Sequence, residues 1–77
     1  MHHLDITGLK SPEPVLEVRR KLAEMSVGEI LEVLASDSST IHDLPAYCKS
    51  AGHQLLLVED RGGDLFFRIK RRGTIGN

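Results

Sequence analysis

Strand-like and helix-like apolar periods alternate along these 77 residues, and that alternation leaves few folds open. Residues 4–7 read as a short strand that Gly8 turns away from. Residues 12–25 carry a helical stripe of Val15, Val18, Leu22 and Met25, widened by Leu16, with Glu17, Arg19, Arg20, Lys21 and Glu24 elsewhere. Residues 29–35 alternate, with Leu31, Val33 and Ala35 on one face and Ile30, Glu32 and Leu34 on the other. Asp37-Ser38-Ser39-Thr40 then offers caps for a second helix striped by Ile41, Leu44, Cys48 and Ala51. Pro45 is expected to kink this helix or to mark the start of its regular turns, and Gly52 fits its C-terminal cap. Residues 54–59 and 64–71 read as two strands joined through a hairpin turn at Asp60-Arg61-Gly62-Gly63. Residues 72–77 read as a loose tail.

The order is β-α-β-α-β-β. A helix between successive early strands implies crossover connections, which are nearly always right-handed. Each helix has one apolar stripe, so both should pack on the same face of one four-stranded mixed sheet. The expected fold is therefore α/β, an open two-layer sandwich with the second sheet face uncovered, formed as a single domain over residues 1–77. A domain of this size buries about 60% of its unfolded surface, which leaves room for a shallow surface site and little for a deep cleft.

Composition removes several function classes. Ten Lys plus Arg face eleven Asp plus Glu, so no global field draws the chain to nucleic acid or an acidic membrane. No apolar run approaches the roughly 18 residues that span a bilayer, and the first residues lack a signal-peptide pattern. A cytoplasmic monomer is expected. One cysteine, Cys48, excludes an internal disulfide framework. It shares the second helix's stripe, so a buried structural role is expected. His2, His3, His42 and His53 have no zinc-like spacing to a cysteine partner, and no metal site is expected.

The chemistry concentrates at Ser11-Pro12-Glu13-Pro14. Ser11 is expected to cap the first helix with its side-chain oxygen, Pro12 to take the first helical position, and Glu13 to complement the positive end of the helix dipole. The surrounding run Leu4-Asp5-Ile6-Thr7-Gly8-Leu9-Lys10-Ser11-Pro12-Glu13-Pro14-Val15 resembles the start of the TusA, or SirA-like, family of small sulfurtransferases. Their signature is Cys-Pro-x-Pro after an aspartate and a Gly-Leu step. The resemblance continues through Val18-Arg19-Arg20, Gly28-Glu29, Ala35-Ser36-Asp37, Asp43-Leu44-Pro45, Cys48 and Arg68-Ile69-Lys70-Arg71. It spans nearly the whole chain in order.

That resemblance implies sulfur relay. Family members take a sulfane sulfur from a cysteine desulfurase or another persulfide donor onto the signature cysteine and pass it to a downstream acceptor protein. Family uses include tRNA 2-thiouridine synthesis, molybdenum-cofactor biosynthesis and dissimilatory sulfur oxidation, and no cofactor is required. A helix N-terminus lowers a thiol's pKa, which suits a thiolate carrier. By this resemblance residue 11 is the carrier position, supported by Gly8, Pro12, Glu13 and Pro14, with Arg19 and Asp37 as partner-docking residues. Here the signature cysteine is Ser11, whose oxygen cannot carry a relay persulfide. Three origins fit: replacement of a Cys or selenocysteine by design, a natural non-relay member, or serine chemistry. A second function class rests on the last strand, where Arg68, Lys70 and Arg72 with Phe66 would form a basic open face for RNA or a protein partner. Charged residues on an open sheet face more often keep it solvated.

Overall fold

In a computed structural model, residues 1–73 are described. They form β1 His2–Ile6, α1 Glu13–Glu24, β2 Ile30–Ala35, α2 Thr40–Ala51, β3 Gln54–Arg61 and β4 Asp64–Lys70. The sheet order is β1-β2-β4-β3. β1 runs parallel to β2, with Leu4 opposite Val33 and Ile6 opposite Ala35. β4 inserts antiparallel between β2 and β3 and places Phe67 opposite both Val33 and Val58. This is the expected β-α-β-α-β-β mixed sheet with an open face.

Register explains the core. Strict alternation puts Ile6, Leu31, Val33, Ala35, Leu65, Phe67 and Ile69 on one sheet face, all buried. Against them pack Val18 and Leu22 of α1, Met25 just after it, and Leu44 and Cys48 of α2, in one continuous cluster. Each such fully buried apolar side chain contributes about 1.5–3 kcal/mol over an exposed one.

The helix stripes are as expected except at Leu16 and Ile41. Leu16 is 43% exposed and Ile41 40% exposed. Val15 packs against the core, half-buried, and Pro14 and Thr40 are fully buried beside it and Leu44, so the fully buried rows are 14, 18, 22, 25 and 40, 44, 48, 51. These rows, stepping by four and finally by three residues, face the sheet, whereas Leu16 and Ile41 are exposed near the starts of the two helices. The second helix runs through Pro45 as one element. Its opening turn is tight, with the amides of Thr40, Ile41 and His42 donating to carbonyls three residues back. Gly52 closes it in the left-handed region at φ 81°.

The hairpin turn is shorter than expected. Strands reach Arg61 and resume at Asp64, leaving Gly62 and Gly63 at φ 68° and 108°. Two consecutive positive φ values are what a two-residue turn matched to strand twist requires. Arg72, read as part of a loose tail, is instead held in place. The Arg72 backbone N–H donates to His53 Nδ1 at 3.2 Å and its guanidinium to Gln54 Oε1 at 2.9 Å. Residues 74–77 lie outside the described residues.

Candidate functional site

β1 and β2 are parallel neighbours, and a helix follows each. Both helices therefore start beyond the carboxyl ends of adjacent strands, the usual place for a site in an open α/β sheet. The loop before α1 is stitched to the loop before α2. The Gly8 N–H donates to Ser36 Oγ at 2.8 Å. The Ser11 N–H donates to Asp37 Oδ2 at 2.7 Å. Ser11 Oγ lies 3.3 Å from Asp43 Oδ2, as donor to that carboxylate.

Ser11 is exposed at the mouth of α1, as expected, but it is not the helix cap. Pro12 holds the cap position, at φ −93° and ψ 4°, and no side chain caps the helix. Pro12 follows a cis peptide, Glu13 begins the helix, and Pro14 occupies its first turn, buried. The backbone N–H of Glu13 donates to Lys10 O at 2.9 Å. The Ser11 side chain is thus turned to α2 instead of to the amides of its own helix.

Asp37 is the hub of the site. It also accepts the Ser39 N–H at 3.2 Å and the Ser39 hydroxyl at 2.9 Å, while its carbonyl accepts the Thr40 hydroxyl at 2.7 Å. The Ser11 N–H, then the Ser39 bonds, hold its carboxyl below the usual carboxylate range, with help from the Lys10 charge. Asp5 plays a smaller local part: the Thr7 N–H and hydroxyl donate to it at 3.0 and 2.7 Å, shaping the bend after β1 and lowering its pKa. Gly8, Ser11, Pro12, Glu13, Pro14 and Asp37 are therefore brought together. Arg19 lies two turns along α1, and its charge reaches Tyr47 on α2. Sequence reasoning did not pair Ser11 with Asp43 or Gly8 with Ser36. The signal for both was the parallel pairing of β1 and β2, which sets their two following loops side by side.

Cys48 is 1% exposed inside α2, and burial pushes its thiol up to about 11. Among the described residues no group of three or more His, Cys, Asp or Glu is placed to hold a metal ion, and no helix is long and apolar enough to cross a membrane.

The open sheet face is charge-matched. Arg68 Nε and a terminal nitrogen donate to Glu32 at 3.0 and 2.9 Å, and Arg61 pairs with Glu59 at 2.7 Å. The two guanidinium carbons stand 4.0 and 5.8 Å from the Phe66 ring centre. Phe66 is only 9% exposed beneath them. A shallow depression of about 280 Å³ lies here, lined by His3, Asp5, Leu34, Arg61 and Phe66 among others. It is smaller than usual small-molecule pockets.

Sequence comparison matches residues 2–71 to the family described as Sulfurtransferase TusA. A sulfur carrier protein TusA of Pseudomonas entomophila is 38% identical over 69 residues, covering 90% of this chain and 86% of that protein. Its counterpart in Pseudomonas paraeruginosa is 36% identical over 69 residues, covering 90% and 87%. In structure, a SirA-like protein of Desulfitobacterium hafniense superposes with a TM-score of 0.81 over 95% of this chain and 100% of that one, at 24% identity, a likeness of fold. With nearly its whole length matched, the chain belongs to the TusA sulfurtransferase family.

Proposed function

We propose that residues 1–77 act as one small sulfur-carrier domain of the relay type, with residue 11 as the carrier position, and that the chain with Ser11 is deficient in transfer. One observation carries the second part. Ser11 presents the exposed group at the helix mouth, while the single cysteine of the chain is 1% exposed with a thiol pushed up to about 11. A persulfide moves by exchange between accessible thiolates, and neither side chain offers one.

Docking uses the surface around the two helix starts. Leu9, Leu16 and Ile41 are exposed there, each 37% or more, and they surround polar groups contributed by Ser11, Asp37 and, further along α1, Arg19. Family membership supports a cysteine desulfurase or another persulfide donor on one side and a downstream acceptor protein on the other, with the domain working as a cytoplasmic monomer without a cofactor. The RNA reading has less support, because Glu32 pairs with Arg68, one of its three basic residues, and Arg61 and Arg68 cover Phe66, its one aromatic.

The test is Ser11→Cys incubated with a desulfurase and cysteine, followed by mass spectrometry. The variant is expected to gain one sulfur on residue 11, and the Ser11 chain none. No uptake by the variant from a panel of desulfurase and persulfide donors sinks the carrier assignment. Uptake by the Ser11 chain on Cys48 sinks the claim of transfer deficiency.

A further inference from the structure

We propose that Asp43 is a positioning residue for the group at residue 11, holding it as a protonated hydrogen-bond donor at the start of α1. Three observations converge on this assignment.

The first is spacing. Ser11 Oγ and Asp43 Oδ2 are 3.3 Å apart, long for a hydroxyl donor, which prefers about 2.5–3.0 Å. A thiol at residue 11, on a longer bond to Cβ and with the longer reach of a sulfur donor, stays within hydrogen-bonding range of the same carboxylate. The carboxylate therefore stands where an S–H at residue 11 would donate.

The second is the depleted helix terminus. An α-helix normally offers four unpaired N–H groups at its start, and these favour an anion there. In α1 the Glu13 N–H already donates to Lys10 O, and Pro14 has none. Val15 is the remaining first-turn donor. Pro12, at the cap, adds none.

The third is the local charge. Asp37 and Asp43 hydrogen-bond residue 11 from the α2 side. Glu13 follows from α1, and Lys10 is the nearby cation. Two carboxylates bonded directly to residue 11 disfavour another negative charge there. The helix terminus by itself would favour a thiolate. Here the prolines and carboxylates offset it, so the site accepts a hydroxyl without rearrangement and holds a thiol neutral.

The meaning of this assignment rests on the sulfur-carrier reading, but its test requires no sulfur transfer. Ser11→Cys is alkylated with iodoacetamide across pH, with residues 11 and 48 followed separately by peptide mass spectrometry. The residue 11 thiol is expected to titrate at or above the free-cysteine value of about 8.5. Adding Asp43→Asn is expected to lower that midpoint and raise alkylation near neutral pH about five-fold, an effect that shrinks as salt rises. Glu24→Gln, at the far end of α1, controls for net charge and should leave the midpoint in place. A thermal melt of each variant separates a loss of fold from a change in titration. An unmoved midpoint in Asp43→Asn overturns the proposal, as does a larger shift from Asp37→Asn or a residue 11 thiol that titrates well below the free value. If the midpoint moves while no donor loads Cys at residue 11, Asp43 keeps its role and the relay reading fails instead.

Discussion

The burial of Cys48 sets a reactivity that a simple assay can measure. A thiol pushed up to about 11 holds about one part in ten thousand as thiolate near pH 7, some 300 times less than a free cysteine at about 8.5. Its side chain belongs to the core cluster and is 1% exposed, so a reagent reaches it through an opening of the fold. Adding a disulfide reagent such as dithionitrobenzoate to the native protein should therefore give a release of chromophore at least about 300-fold slower than in denaturant. The rate should track unfolding when urea is titrated in. The pH dependence has a defined sign. The unfolded chain gives up the thiol proton first, above about 8.5, while the folded chain keeps it to about 11. This contribution to stability is complete below 8.5 and is lost as pH rises through that window. Native labelling as fast as denatured labelling refutes the reasoning and makes Cys48 a candidate carrier.

Three further outcomes are expected. Burial, then the Arg71 charge, lowers the His53 pKa, so the unfolded state takes the proton first and stability falls as pH drops below about 6.5; urea midpoints against pH should show this slope, and His53→Gln should flatten it. Arg71 Nε donates to Leu22 O at 2.8 Å, closing the C-terminal end of α1, and Arg71→Ala should cost about 1–2 kcal/mol in urea unfolding; an unchanged midpoint removes that role. Titration with RNA at low salt should give no salt-steep binding, whereas micromolar binding abolished by Arg68→Ala plus Lys70→Ala would restore the nucleic-acid reading.

Local periodicity made the element order legible, because strands and helices bury different spacings and the chain switches cleanly between them. The alternation of Leu31, Val33 and Ala35 marked their shared face, and all three are fully buried. Leu16 and Ile41 look like core by hydropathy yet are exposed, while Pro14 and Thr40, which hydropathy passes over, are buried. The position of Ser11 was legible as a helix mouth. Its partners were not, because Asp37 and Asp43 lie 26 and 32 residues away, and a local cap rule cannot weigh a contact between loops. Phe66 was read as exposed beside basic residues. Cross-strand pairing instead brings Arg61 and Arg68 over its ring, a burial by charged side chains that alternation alone does not show.

The placement of β4 constrains how this chain can be made. The last strand in sequence lies inside the sheet, between β2 and β3. A nascent chain that has emerged only through β3 has both helices and three strands but no bridge between β2 and β3. Leu31, Val33 and Val58 would then lack the strand that supplies Phe67 and Ile69. Assembly must wait for the hairpin that brings β4 between β2 and β3. A ribosome stall or a premature stop ahead of Asp64 leaves a sticky, protease-sensitive fragment, not a smaller folded domain.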